Sequence, residues 1–314
     1  MGAQRPFRFG VIGFGAPSRE AWIAQARRAE ALGYSTFSVG EHVITDLDAL
    51  SAMAAAAIVT TDIRIGSLTI ANDLHNPVML ARAVASLDIL SDGRFEFGFG
   101  SGFYRTDYDW TGVPFDPPGV RLPRFFEAVH LIKRAFTEEA VDFAGAQYAV
   151  RHLALMPKPR QRPWPSLLIG GGGQRVLEFA AREATIVSIN IRSTPQGGVD
   201  WASISPEATA QKVRWVREAA GGRFGDLELH WLVPCFAVTD DPAAAARAFI
   251  DGFGAADEVS PEAVLASPHV LVGSEETIAE LIQQRREEYG VSYLTVVAPA
   301  MEDFAPIATR LAGQ

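Results

Sequence analysis

Cysteine is almost missing: Cys235 stands alone in 314 residues, so neither an intrachain disulfide nor a thiolate metal cluster can form. A lone thiol of this kind reads as a small buried residue in a reducing compartment. Residues 1–8 carry basic side chains but no apolar signal core, so a cytoplasmic location is expected. No uncharged apolar run reaches the roughly 18 residues that a membrane span requires. Positive charge is also short, with 28 Lys and Arg against 37 Asp and Glu and a net charge of -9. That balance gives no basis for nucleic-acid or membrane-surface binding and favours a small-molecule partner. The six histidines are scattered without H-x-H, H-E-x-x-H or Cys/His spacing, so no metal site is expected. G-x-S-x-G and P-loop patterns are absent as well, which leaves a hydrolase built on those constellations unsupported.

What is present is an ordinary globular composition, 48% hydrophobic and 21% charged, enough for a sizeable core. Short β-rich runs at residues 7–13, 35–40, 63–68, 95–100, 166–170, 185–190, 227–238 and 291–298 predict strands. Helical patterns follow nearly every one, over residues 19–32, 47–58, 78–90, 122–136, 174–183 and 205–220, then after 242, 274–289 and on to 311. This rhythm predicts a (β/α)8 barrel, with insertions after strands four, six and seven. A doubly wound open sheet is the runner-up, but no G-x-G-x-x-G stands at strand one. Nothing divides the chain, so residues 1–314 read as one domain.

A barrel builds its site from the carboxyl ends of its strands. That places Phe14 and Gly15, Glu41 and His42, residues 67–72, 101–105 and 170–175, Asn190 with Arg192, Pro234 and Pro299 at the candidate mouth. His42 is the best acid/base candidate because imidazole titrates near neutral pH, although a structural histidine at a loop start fits the position equally well. Glu41 is adjacent, yet successive strand residues face opposite ways, so the two need not touch. Gly170 to Gly173 before Gln174 set backbone amides and a helix start where a phosphate could sit, with Arg175 as a possible ion-pair donor. Phe14, Phe103, Tyr104, Tyr108, Trp110 and Phe115 gather at strand ends or in the first long loop, as around a flat aromatic ligand.

Asn76-Pro77 followed by LARAVASLDILSDGRFEFGFGSGF resembles the bacterial luciferase-like flavin and deazaflavin oxidoreductases. SVGEHV at residues 38–43, the helix at 119–136 and the glycine turn within 166–184 resemble the same family. The resemblance implies a barrel, usually dimeric, that holds coenzyme F420 or FMN over its strand ends. It implies an active-site role for His42, with Glu41 beside it, and a phosphate turn at Gly171, Gly172 and Gly173. It implies a cofactor seat made by Ser67, Leu68, Thr69, Asn72, Ser101, Gly102 and Arg175, with a non-proline cis peptide mapping onto Ser67-Leu68. Substrate would meet Phe14, Phe103, Tyr104 and Asn190.

Three departures limit the analogy. Phe103 replaces the acid that related sugar-phosphate dehydrogenases carry after strand four, Glu41 stands for their Asp, and Ala184-Thr185 for their Ala-Asp. The expected function is F420-dependent hydride transfer to or from a small organic substrate. The same fold with FMN would be a two-component monooxygenase, and a non-catalytic barrel is the third possibility.

Overall fold

The computed structural model describes residues 5–194 and 196–314. Eight parallel strands form its centre: β1 (Arg8–Gly13), β2 (Thr36–Val39), β3 (Arg64–Ser67), β4 (Phe95–Gly100), β5 (Ser166–Gly171), β6 (Ile186–Ile189), β7 (Glu228–Val233) and β8 (Val291–Val297). Each strand pairs with its neighbours in sequence. Arg8 opposite Tyr293 joins the last strand to the first, and Ile65 opposite Phe95 joins β3 to β4, so the sheet closes. The molecule is a (β/α)8 barrel. Its principal helices are α1 (Arg19–Ala31), α2 (Ala49–Val59), α3 (Pro77–Leu90), α4 (Pro118–Thr137), α5 (Gln174–Glu183), α6 (Pro206–Ala220), α7 (Glu275–Tyr289) and α8 (Met301–Leu311).

Side-chain alternation explains where the core lies. Outward residues such as Phe37, Phe97, Phe99, Trp231 and Leu294 pack beneath the helices in one large apolar cluster. The bore is instead polar at its amino end. Arg8 donates to both carboxylate oxygens of Glu228 at 2.7 and 2.6 Å and to Glu96 at 2.9 Å, above the Tyr293 ring at 3.6 Å. Tyr293 adds a hydrogen bond to Glu96 at 3.1 Å. Farther along, buried His230 sits between the Ser188 and Thr295 hydroxyls at 2.8 and 2.9 Å, and burial holds its pKa well below the usual imidazole value. This packing fills the amino end and leaves the carboxyl end for loops.

The residues 87–94, LDILSDGR, act as a staple. Buried Asp88 accepts from the Gln161 backbone at 2.8 Å and its side chain at 2.6 Å, fixing the proline-rich connector that leads to β5. Arg94 reaches back to the carbonyls of Ala57 at 2.8 Å and Thr60 at 3.1 Å, at the end of α2.

Three insertions follow β4, β6 and β7. The first contains a short helix, Arg105–Thr111, where the sequence suggested only a loop, and then the antiparallel hairpin of Val141–Ala144 and Ala149–Leu153. Helix α4 starts a turn before the expected residue 122, because Pro118 occupies its first turn, where a missing N–H costs nothing. The expected seventh strand, residues 227–238, is broken at Pro234, which cannot donate to the ladder. Its second half, Cys235–Val238, leaves the barrel and pairs in parallel with an unexpected strand, Val270–Gly273, above a small separate apolar cluster. Cys235 is buried there.

Gly98 is required by a close approach. A Cβ on it would lie 1.8 Å from the Ser67 carbonyl oxygen. Gly98→Ala should therefore destabilise the fold by about 3 kcal/mol in a urea titration. Gly119→Ala, where a Cβ meets nothing within 4 Å, is the matched control and should be near neutral. Equal midpoints for the two variants would contradict this packing.

Candidate active site

The mouth is organised by what happens after β3. Ser67 is still in register with Val39, and its hydroxyl exchanges two hydrogen bonds with the Gly98 backbone, at 2.8 and 2.9 Å. The chain can leave the ladder only beyond that point. The non-proline cis bond accordingly lies at Leu68–Thr69, one bond later than the Ser67-Leu68 position expected from sequence. Pairing resumes as Ile70–Ala71 opposite Phe99 and Gly100, so residues 68–69 bulge out at the strand end. Half-buried Leu68 packs against Leu168, Ile186 and Tyr293 in the bore. The Ser67 hydroxyl is thus a structural clamp, and the bulge presents Leu68 and Thr69.

Glu41 supports this bulge and does not join His42. Its carboxylate accepts from the Ala71 amide at 2.7 Å and meets His75 Nε2 at 2.7 Å, in keeping with the opposite facing of successive strand residues. Burial disfavours charge on His75, but its hydrogen bond and charge pairing with Glu41 outweigh that and raise the imidazole pKa. Asn72 is buried just beyond. Its Nδ2 donates to Asp73 at 3.1 Å and to the Tyr148 hydroxyl at 3.3 Å, while Oδ1 has no partner among the described residues.

His42 follows β2, and its Nδ1 lies 2.8 Å from Asp107 Oδ2. The other oxygen of Asp107 accepts from the Val43 amide at 2.9 Å. Asp107 is only 4% exposed and belongs to the short helix that the sequence reading missed. Its signal was present: Arg105 and Asp109 pair at i,i+4, and Gly112 caps the helix in the left-handed conformation. Three aromatic rings surround the imidazole, Phe14 at 6.2 Å, Phe103 at 5.9 Å and Tyr104 at 5.1 Å between centroids. Phe14 and Phe103 remain 39% and 51% exposed, so this is an apolar vestibule open to a ligand.

The exit of β4 is tied down through its backbone. Tyr108 donates to the Ser101 carbonyl at 3.3 Å, and buried Arg121 donates to the carbonyls of Ser101 and Gly102. Arg124 grips Asp73 through two bonds, at 2.9 and 2.8 Å, and so joins α4 to the turn carrying Asn72. Arg121 and Arg124 lie in the 119–136 helix that carries the family resemblance, but their partners, like Asp73, are distant in sequence and could not be assigned from it.

Across the mouth, β5 ends in Gly171, and Gly172-Gly173 open α5. No side chain caps Gly173, and a Cβ there would meet nothing within 4 Å. Uncapped amides at the start of a ten-residue helix, beside the open space over Gly173, can donate to an anionic oxygen. Arg175 is exposed in the first turn and forms no ion pair among the described residues. Asn190 ends β6 next to this turn: its amide donates to the Gly171 carbonyl at 2.9 Å, and its side-chain oxygen accepts from Ser188 at 3.3 Å. Buried Lys212 donates to the carbonyls of Asn190 and Ser203 at 2.9 and 2.8 Å, clamping both ends of the loop after β6. Burial, with the charge of Arg192 adding to it, lowers its pKa to about 8.

Among the described residues no group of three His, Cys, Asp or Glu side chains could hold a metal ion, and no helix is long and apolar enough to cross a membrane.

A closed parallel barrel whose carboxyl-end loops gather a histidine, a carboxylate and an open glycine turn has the architecture of a barrel enzyme. The family is given by sequence. The luciferase-like monooxygenase model matches residues 6–293, and the chain belongs to that family, whose members are oxidoreductases or monooxygenases. An uncharacterised protein of Mycobacterium tuberculosis (strain ATCC 25618 / H37Rv) is 28% identical over 199 residues, 56% of this chain and 70% of that protein. The F420-dependent glucose-6-phosphate dehydrogenase of Amycolatopsis mediterranei (strain U-32) is 29% identical over 168 residues, about half of each chain. Among solved structures, the F420-dependent tetrahydromethanopterin reductase of Methanopyrus kandleri superposes with a TM-score of 0.77 at 16% identity, over 98% of this chain and 99% of that one. The oxygenating component of 3,6-diketocamphane monooxygenase from Pseudomonas putida, in complex with FMN, gives 0.70 at 18% identity, over 98% and 96%.

The His75–Glu41 pair predicts a pH effect. Because folding raises the His75 pKa, its contribution is fully present below the unfolded imidazole value of about 6.5 and is lost as pH rises through the folded value. The stability advantage of the native protein over His75→Gln should shrink as pH rises above the unfolded imidazole value of about 6.5 in denaturant titrations. An advantage that grows with pH would contradict the pairing.

Proposed function

We propose that this protein is a coenzyme F420-dependent oxidoreductase that moves a hydride between the deazaflavin and a small organic substrate. The observation that carries this reading is the convergence, at one end of the barrel, of the 68–69 bulge, His42 and the uncapped Gly172-Gly173 turn. The residues present fit such a cofactor. Asn72 Oδ1, without a partner among the described residues, is a buried acceptor in need of a donor, and the glycine turn offers helix-start amides with open space over Gly173 for a phosphate. Thr69, Ser101, Gly102 and Arg175 complete the proposed seat. When bound, the deazaflavin supplies the two-electron hydride acceptor or donor.

The chain's own residues would do the rest. Phe14, Phe103 and Tyr104 exclude water around His42, Asn190 faces the mouth opposite, and His42 exchanges the proton that accompanies hydride transfer. Phe103, in place of an acid, favours a less polar substrate than a sugar phosphate. The F420-dependent relatives support the choice of cofactor. The likeness to the FMN-bound Pseudomonas monooxygenase supports the second reading, an FMN-dependent monooxygenase.

Titration of the purified protein with F420 and with FMN, followed by absorbance and fluorescence, separates the two. Tighter binding of F420 is expected; tighter binding of FMN would establish the second reading, and binding of neither would end both. His42→Ala should keep cofactor affinity within a few fold and cut turnover by about tenfold or more. Unchanged turnover would reduce His42 to a structural residue.

A homodimer is proposed as the assembled form. Helix α2 contains no charged residue and carries exposed Ile58, and α3 exposes Met79, Ile89 and Leu90, with Arg82 its one exposed charge because Asp88 is buried. Apolar surface of this kind marks an interface. Ile58→Asp should halve the mass seen by sedimentation equilibrium; a monomeric native protein would overturn the proposal.

A further inference from the structure

His42 has two ring nitrogens, and the surroundings treat them unequally. Nδ1 is 2.8 Å from Asp107 Oδ2, whereas no described residue partners Nε2. The two oxygens of Asp107 are both assigned, since the Val43 amide at 2.9 Å can only donate to Oδ1. Asp107 is buried, and among the described residues it forms no ion pair with any arginine or lysine. Its carboxylate therefore has two partners, the Val43 amide and the imidazole, and among the described residues no other side chain competes for Oδ2. Thr111 fixes the helix beneath by donating to the Asp107 backbone carbonyl at 2.7 Å, so the carboxylate is presented from a fixed turn.

We propose that Asp107 is the positioning residue of the site: it holds neutral His42 as the Nδ1–H tautomer, leaving Nε2 as the lone-pair nitrogen that takes up the substrate proton. This rests on the functional reading of His42 given above. In the oxidative direction a substrate O–H proton would pass to Nε2 while the adjacent carbon gives up its hydrogen with the C–H bonding pair and a C=O bond forms, the bound deazaflavin supplying the hydride acceptor; the reductive direction would return both. An acceptor-only group is needed at Nδ1 for this, because a donor there would place the hydrogen on Nε2 instead.

The geometry makes the test unusually clean. In Asp107→Asn the side chain keeps its shape, but its oxygen must still face the Val43 N–H. Its amide nitrogen is then left facing His42 Nδ1, where it can only donate, and the imidazole must adopt the Nε2–H tautomer. The experiment is nitrogen NMR of 15N-histidine-labelled protein at about pH 8.5, where an ordinary imidazole is neutral, with the His42 signals identified by their loss in His42→Gln. The native protein should show the Nδ1–H pattern and Asp107→Asn the Nε2–H pattern. Turnover should fall by about 100-fold or more through kcat, with cofactor affinity within about twofold of the native value. Asp107→Glu, which retains an acceptor, should recover part of the lost rate.

An unchanged tautomer in Asp107→Asn overturns the proposal, and so does a reversed tautomer with native turnover. If the tautomer reverses while His42→Ala is also fully active, the positioning geometry is supported and the catalytic reading of His42 is overturned. The two failures are therefore distinguishable.

Discussion

The Ser67 hydroxyl donates to the Gly98 carbonyl and accepts from the Gly98 amide, and the backbone of Gly98 lies where no Cβ could be accommodated. This pairing of a small polar side chain with a bare backbone keeps β3 and β4 together to the last residue of β3. It decides where the chain may bulge. The carboxylate of Glu41 then takes the Ala71 amide, and Asn72 is buried behind it. Each later feature of the mouth is fixed against that wall: Asp73 and Arg124 tie it to α4, and Arg121 ties α4 to the exit of β4. A single substitution at Gly98 would therefore be felt across one side of the site.

The polar bore contributes in a different way. Arg8 and Arg64, with Glu96, Glu228 and Tyr293, close the amino end with paired charges, which in a low-dielectric bore are tolerable only as a complete set. The carboxyl end is thus the opening that the loops shape. Aromatic rings line that opening on the His42 side, and helix-start amides with no side-chain cap among the described residues line it on the Gly172-Gly173 side. Such an asymmetric mouth suits a ligand with a flat apolar part and an anionic part.

Much of the architecture was legible because it rests on local signals. The strand 95–100 and the helix 174–183 fall at the expected boundaries, since alternation and a following glycine turn specify them without tertiary help. The misreadings have physical causes. Pro234 looked like a residue within an apolar strand but removes a ladder donor, so residues 235–238 seek another partner. The helix Arg105–Thr111 was hidden by its aromatic and aspartate content, which lowers intrinsic helix propensity. With it went Asp107. The site was legible only in outline: His42 and the glycine turn lie at strand ends and can be counted along the chain. Glu41 could not be assigned, because its partners His75 and Ala71 lie some thirty residues away.

The central claim is that the bulge, His42 and the glycine turn form one ligand mouth. A crystal structure of the protein grown with F420 tests it most directly. The account predicts the deazaflavin ring against Leu68 and Thr69 and its phosphate on the Gly172 and Gly173 amides, with His42 beside the ring. F420 ordered anywhere else on the barrel, with this mouth empty, would contradict it.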